Sequence, residues 1–590
     1  MTSEVKVCQN CRGQFTIEPE DFNFYEKIKV PPPTFCPECR MIRRFIWRSD
    51  HHLFRRKDGA SDKEIFSGFH KDVSAAIYDL DYWNSDAWDP MQYGREYDFS
   101  RPFFEQFKEF LYTVPWPAKS VQRMINSDYC DQAGGFKNCY LCFSADGTEN
   151  SAYMVFGGMS RDSLDCYEVR DSELCYQDVM VDESYRTFFS LDCESCTDVW
   201  FSRDLIGCTN CFGCVGLRSK SYCIFNQPYS REEYIEKLKS FGLNSHSNIQ
   251  VFRKRAYEFW LKFPVKFIHG LQNVNSTGEH MHNTKNVHHS FDVHGGENLK
   301  YCQFIAPPAS DSYDYSNWGV GTSLMYECMT CGEGCSEMKF CFESWPGSRA
   351  LEYSAFCRSS SDLFGCVSLK KKQYCIFNKQ YSKEEYFALR EKIIKHMNEM
   401  PYTDARGHVY KYGEFFPQEF SPLAYNESIA NDFFKLTKEE ALVKGYTWRD
   451  AEPQEYQTTK NAVDLPDTIE EVFEDILKDI IKCERCGKAY RIIKMELDFY
   501  RRIGLPLPHL CVLCRFEDRF KFVNPPKFWH AKCHCAGQTS DQQQVTGDKY
   551  QNTVSHFHGT DRCLNEFETS YDPKRPEIVY CESCYQSEVA

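Results

Sequence analysis

Aromatic positions recur along two stretches of this chain at intervals that fit neither a helix nor a single strand. Tyr167, Tyr176, Phe188, Trp200, Phe212 and Tyr222 fall 9 to 12 residues apart. Tyr301, Tyr313, Tyr326, Phe340, Tyr353, Phe364 and Tyr374 fall 10 to 14 apart. Each sits beside a Cys or small residue in a short strand-like run, bounded by Asp, Asn, Ser or Gly. Short apolar runs with turn residues this dense predict stacked strand-turn rungs: a β-solenoid, most simply a parallel β-helix at two rungs per coil. A pair of β-sandwiches is the competing arrangement, since it also repeats short strands at regular spacing. The two stretches end alike. GCVGLRSKSYCIFNQPYSREEY (213–234) matches GCVSLKKKQYCIFNKQYSKEEY (365–386) at an offset of 152. Both finish in a capping box, Ser230 with Glu233 and Ser382 with Glu385, so a helix closes each strand stack. Two more helices are predicted, one after Ser100 that stops near Pro115 and one around 248–263 that ends at Pro264.

Flanking this repeated middle, one cysteine phrase occurs twice. Cys8, Cys11, Cys36 and Cys39 recur as Cys483, Cys486, Cys511 and Cys514, with 24 residues between the two CxxC pairs each time. Between them, Phe24-Tyr25, Ile28, Pro31, Pro33 and Arg40 match Phe499-Tyr500, Ile503, Pro506, Pro508 and Arg515 in register. Two CxxC knuckles at fixed spacing give a zinc ion its tetrahedral four-thiolate set, and such closed sets fold a domain rather than catalyse. A further site is expected from Cys533, Cys535, Cys563, Cys581 and Cys584, with His556 and His558 nearby; the spacing leaves open which thiol is left out. The stretch 58–83 occupies the matching place after the first ribbon and holds no cysteine, so a ribbon there would persist without metal. The 19 cysteines from Cys130 to Cys375 fit in-register ladders inside the rungs, since Cys stacks as a small hydrophobe. About three zinc ions in all follow from that reading, whereas a metal tract in the middle would raise the total to roughly six or more.

Composition narrows the class. The chain has 590 residues, 32 cysteines and 16% aromatics, enough for several folded domains. It shows no signal-peptide pattern and no apolar run of membrane-spanning length, which places it in the cytoplasm, where thiols stay reduced and available to metal. The formal net charge of −15 argues against a surface that coats nucleic acid throughout. A local basic patch is still allowed: Arg40, Arg43, Arg44, Arg48, Arg55 and Arg56, interleaved with Trp47, suit phosphate contact and base stacking on RNA. The same residues also suit a helix that leaves the ribbon and pairs with an acidic body.

Two other clusters are candidates for chemistry. His280, His282, His288, His289 and His294 could serve metal or acid–base roles, or simply line wet turns. Asp162, Asp165, Asp171, Asp178, Asp182, Asp192, Asp198 and Asp204, with Arg161, Arg170 or Arg203, would suit a β-helix enzyme acting on a polysaccharide, or would make the turns. No phosphate loop, dinucleotide fingerprint, nucleophile elbow or HExxH is present, so no nucleotide cofactor is expected.

The phrases CxxCxxxFxIEPEDFxFYxKIxVPPPTFCPECR, SDAWDPMQYGREYDFSRPFFEQF, GCTNCFGCVGLR, YCIFNKQYSKEEY and NEFETSYDPKRPEIVYCESCYQ resemble a cysteine-rich zinc-ribbon family of ultrasmall candidate-phyla bacteria. The resemblance covers nearly the whole chain and implies a second pair of CxxC motifs near 58–82, from which this chain departs. The expected plan is mostly β. A zinc ribbon spans 1–50, a metal-free ribbon and helical connector 51–125, a solenoid 126–240, a linker helix 241–270, a second solenoid 271–396, a connector 397–480 and tandem zinc ribbons 481–590. Its expected role is non-enzymatic: a zinc-binding protein offering a long surface to a protein or RNA partner.

Overall fold

A computed structural model describes residues 2–452, 456–537, 550 and 552–589. The chain forms two compact units, each assembled from separated segments. Met1–Ser120 joins Ile268–Asp450, and Val121–Phe267 joins Ala451–Ala590. The N-terminal ribbon therefore belongs with the second solenoid, and the C-terminal ribbons with the first.

The solenoid is real, but its coil is smaller than the sequence suggests. Tyr167 pairs in parallel with Val179, Val179 with Leu191, and Leu191 with Arg203, so one turn of the coil takes 12 residues. From Asn138 to Phe225 every third residue has a positive φ. The chain therefore turns four times per coil, three residues to a side, and the aromatic interval marks a whole coil instead of one rung of two. The left-handed conformation favours Asn and Asp among non-glycine residues. Accordingly Asp162, Asp165, Asp171, Asp192, Asp198 and Asp204 all stand at corners.

In most coils the residue after a corner is turned inward, and there the solenoid places its cysteines. One inward column runs Ser127, Cys139, Ser151, Ser163, Cys175, Thr187, all buried. Cys139 Sγ donates to the carbonyls of Lys137 and Thr148 at 3.5 and 3.2 Å, as Ser163 Oγ donates to Arg161 O at 2.8 Å. The same two-carbonyl pattern holds Cys196, Cys214 and Cys366. These thiols act as ladder rungs, filling a narrow core that they share with Val, Leu and Met side chains.

Each stack ends the same way. Asn226 Oδ1 accepts from Val215 N–H, and its Nδ2 donates to Val215 O. Asn378 does the same with Val367. The amide imitates the backbone of one more coil, which satisfies an edge that would otherwise pair with another chain. Helices Arg231–Ser240 and Lys383–Glu399 then follow, with the expected capping boxes formed.

In both units the ribbon helices dock on the solenoid through equivalent residues. Phe24 stacks on Tyr313 with ring centroids 4.0 Å apart, and Tyr25 meets Tyr326 edge-on. Phe499 and Tyr500 both contact Tyr176. Arg40, Arg43 and Arg44 share one face of the helix Pro37–Phe45, as i, i+3 and i+4 positions must. Arg40 and Arg44 meet the buried Asp314 at 2.8 and 3.3 Å, and Arg43 and Arg44 meet Glu327 at 2.7 and 2.9 Å. In the other unit Arg515 and Arg519, on Val512–Phe520, both meet the buried Asp165 at 3.1 Å.

Candidate metal centres

The first ribbon begins with the hairpin Glu4–Val7 and Gln14–Ile17, whose turn carries Cys8 and Cys11. Cys36 caps the helix Pro37–Phe45 and Cys39 lies in its first turn. The second knuckle repeats this at Cys511 and Cys514. Backbone geometry agrees between copies: Cys8 N–H donates to Gly13 O and Cys483 N–H to Lys488 O, both at 2.9 Å. Cys36 N–H donates to Cys8 Sγ and Cys511 N–H to Cys483 Sγ, both at 3.3 Å.

The closest sulfur separations match the edge of a tetrahedral site. With Zn–S near 2.3 Å, the edges of a four-sulfur tetrahedron are about 3.8 Å. Cys11 and Cys36 are 3.7 Å apart, Cys486 and Cys511 3.6 Å, and Cys483 and Cys514 3.9 Å. Crowding the thiols also makes one ionise at the expense of the others. Hydrogen bonds from Cys36 and Cys39 pull the Cys8 thiol well below its usual range, while donating to Cys36 and Cys8 pushes Cys39 up.

At the C-terminus, the hairpin Trp529–Lys532 with Glu566–Thr569 and the helix Glu582–Val589 bring together two ligand sets. Cys533, Cys563, Cys581 and Cys584 form one, with Cys563 and Cys581 3.9 Å apart. Cys535, His556, His558 and Cys584 form the other. In each set all ligand atoms lie within 4.8 Å of one another, and Cys584 belongs to both. Three four-thiolate clusters and one Cys/His cluster could therefore hold a metal ion. No cysteine of this region is left over, because the histidines that the sequence placed nearby complete the second set. The pair of donors in HFH after a Cys-x-Cys was the signal for it.

The stretch after the first ribbon keeps the ribbon fold without those ligands. Phe54–Lys57 pairs with Glu64–Ser67 as Trp529–Lys532 pairs with Glu566–Thr569. Asp58 stands where Cys533 does, Ser61 where Cys563 does, and Asp79 where Cys581 does. Asp79 N–H donates to Asp58 Oδ1 at 2.9 Å, as Cys581 N–H donates to Cys533 Sγ at 3.2 Å, and Ser61 Oγ donates to Asp58 Oδ2. Burial opposes ionisation of Asp58, but the bonds from Ser61 and the Asp79 backbone hold its carboxyl below its ordinary range.

The proposed nucleic-acid contact is corrected by burial. Arg40, Arg43, Arg44, Trp47 and Arg48 are no more than 5% exposed. Three of these arginines pair with solenoid carboxylates, Arg43 also reaches Glu414, and Arg48 binds Asp50 and Thr330. Trp47 packs among Phe342, Phe415 and Phe416. They cannot reach a phosphate backbone. Arg56 is engaged with the carbonyl of His70, and the exposed Arg55 lies near Glu64. The sequence could not show this, because Arg44 and Asp314 are 270 residues apart. The internal repeat did carry a hint: Arg40 and Arg44 recur as Arg515 and Arg519, fixed to the second knuckle.

The acidic residues of the first solenoid are also engaged. Asp162 pairs with Arg502, Asp198 with Arg186, and Asp204 with Arg218. Asp178 is inward and accepts from Thr187 Oγ1 and Ser190 N–H, and burial raises its carboxyl to about 7. Among the histidines, His280 occupies a corner, where strand alternation breaks. It stacks on His269 across Glu279, while His282 stacks on His294. His269, Glu279 and His280 form a further group whose ligand atoms lie close together. The second unit also contains a cavity of about 600 Å³ lined by His246, Arg253, His509, Asp518 and Arg519. His246 and His509 stack there at 3.6 Å, and burial first, then the neighbouring ring, lowers His246 to about 4. Among the described residues, no helix is long and apolar enough to cross a membrane. A scan against protein-family models gives no match to the chain, and a search of curated proteins gives none either.

Proposed function

We propose that this chain is a zinc-dependent architectural protein of the cytoplasm, without catalytic activity of its own, whose solenoids present extended surfaces to a protein or RNA partner. The observation that carries this reading is the repeated link between metal and scaffold. In each unit the helix that supplies two cysteines to a closed four-thiolate set also inserts two arginines onto one buried solenoid aspartate. Four thiolates fill the coordination sphere of zinc and leave no position for substrate or water. The ion therefore fixes a helix, and the helix fastens a solenoid. With the ribbon arginines enclosed, partner contact falls to the outer corners of the coils, where amides such as Asn126 and Asn138 bond from coil to coil.

The test is chelation of the purified full chain, followed by hydrogen exchange and metal analysis. Zinc should be the metal recovered, and its removal should expose the solenoid coils around Asp314 and Asp165. Replacing Asp165 by Ala should cost about 3–5 kcal/mol in denaturant unfolding, because it strands the buried Arg519 guanidinium and leaves Arg515 with Glu496 alone, while zinc content stays unchanged. Retained protection after complete metal removal would overturn the architectural role. Affinity capture from native cells then identifies the partner.

A further inference from the structure

We propose that the C-terminal module holds two metal ions joined by one bridging thiolate, that of Cys584. This deepens the zinc reading above and rests on it. The arithmetic of donors is the first argument. Two four-coordinate ions need eight ligand positions, and the module supplies seven side chains: Cys533, Cys535, Cys563, Cys581, Cys584, His556 and His558. One sulfur serving both ions closes the count, and Cys584 is the residue the two sets share.

Distances agree with that assignment. For Zn–S near 2.3 Å and Zn–N near 2.05 Å, a tetrahedral S···N edge is about 3.6 Å. Cys535 Sγ lies 3.3 Å from His556 Nδ1 and 3.4 Å from His558 Nε2, and His558 Nε2 lies 3.3 Å from Cys584 Sγ.

The outer partners of the histidines fix which nitrogens are free to bind. His558 Nδ1 lies 2.7 Å from Asp561 O; a carbonyl only accepts, so Nδ1 carries the proton and Nε2 turns its lone pair toward the two sulfurs. His556 Nε2 lies 2.7 Å from Glu588 Oε1 and so carries the proton, which leaves the Nδ1 lone pair turned toward Cys535. Such carboxylate and carbonyl partners are the usual support of metal-bound histidine. The side chains of His556 and Glu588 are fully buried. Glu588 lies one helical turn beyond Cys584 and also receives Tyr550 OH and Thr553 N–H, so one helix organises the loop and offers the bridge. Asn552 Nδ2 donates to Cys535 Sγ at 3.1 Å and Asn565 Nδ2 to Cys581 Sγ at 3.3 Å, which suits thiolates.

Metal analysis of the zinc-loaded full chain, with cadmium-113 NMR of the cadmium-loaded chain, tests this. Four ions per chain are expected, with three in Cys535→Ser and two in Cys584→Ser. Two cadmium resonances should be scalar-coupled to each other through the bridging sulfur, a readout that needs no variant. Three ions in the parent chain with no loss in Cys535→Ser, or four ions with no cadmium–cadmium coupling, would overturn the bridge while leaving the zinc reading intact. A chain that binds no zinc at all would instead remove the architectural proposal.

Discussion

Two versions of one hairpin module, Phe54–Asn84 in the first unit and Trp529–Val589 in the second, differ in what holds their turns. Both lay a short strand parallel to the segment that precedes a solenoid or follows one: Ile77–Tyr78 on Trp116–Pro117, and Ile578–Tyr580 on Pro264–Lys266. Gly59 N–H donates to Ile77 O at 2.8 Å, and His534 N–H to Val579 O at 2.9 Å. Ser67 Oγ donates to Ala118 O, as Thr569 Oγ1 donates to Phe267 O. The skeleton is thus a set of backbone and hydroxyl hydrogen bonds that needs no ion. What differs is the knot: a carboxylate, a hydroxyl and a second acidic cap in one module, and thiols with imidazoles in the other. The loop also differs. Six residues, 58–63, join the strands of the first hairpin, whereas the second inserts the longer stretch that carries Cys535, His556 and His558. Candidate metal ligands are therefore one of two ways to close this turn, and three of the four members of the second set come from the inserted stretch.

The sharpest way to break that comparison is chelation. Removal of metal should abolish hydrogen-exchange protection across 529–537 and 563–585, since ligand binding and folding are one equilibrium in such modules. Protection in Phe54–Asn84 should stay within about twofold of its starting value, as expected of a turn whose knot is a hydrogen-bonded side chain. Equal loss in both would mean that the first module depends on the ribbon beside it. Next in size is the reverse experiment. Installing cysteines by Asp58→Cys, Ser61→Cys, Asp79→Cys and Tyr82→Cys should add one zinc ion per chain by metal analysis; an unchanged ion count would show that the two backbones are not equivalent.

A smaller effect concerns acid. Asp58 is held below its ordinary range in the folded state, so the stability it adds is full above the unfolded value, near pH 4, and is lost as pH falls through the folded value. Asp58→Asn should cost about 1–3 kcal/mol at neutral pH and remove that acid dependence from the exchange of 54–84. Identical acid profiles in parent and variant would remove Asp58 as the knot. The smallest effect separates ladder thiols from ligand thiols. Cys175→Ser lies between Ser163 and Thr187 in one inward column, and should change unfolding free energy by only about 1 kcal/mol with no change in bound zinc. A loss of metal in that variant would reopen the solenoid cysteines as ligands.

What could be read from the sequence follows the range of the interactions concerned. The knuckles were legible because their ligand spacing is local, and the closing helices because Ser230 and Ser382 announce themselves with a glutamate three residues on. The solenoid was legible from its aromatics, but the coil size was not. Its left-handed corners are taken by Tyr153, Phe156, Glu168 and Arg186 as well as by Asn and Asp, so no composition marks them. The fate of Arg40 and Arg44 was hidden for a different reason. A buried guanidinium and an RNA-binding one look alike until the carboxylate that meets it is located, and Asp314 lies in the other half of the chain.

The interleaving of segments has a consequence for synthesis. A ribosome delivers the N-terminal ribbon first, yet the solenoid that neutralises its arginines is made only after residue 268. The first solenoid, in turn, emerges long before the ribbons that fasten it. Both units must hold an incomplete partner while distant sequence is translated, the regime in which half-formed surfaces are most exposed to wrong pairing. The two ribbons and the two solenoids resemble each other, and the solenoid that emerges first is the one to which the N-terminal ribbon does not belong. Glu327, which meets Arg43 and Arg44, is Gln177 in the first solenoid, so an N-terminal ribbon seated there would lack that carboxylate. Any chain stopped before Asp450 leaves neither unit whole.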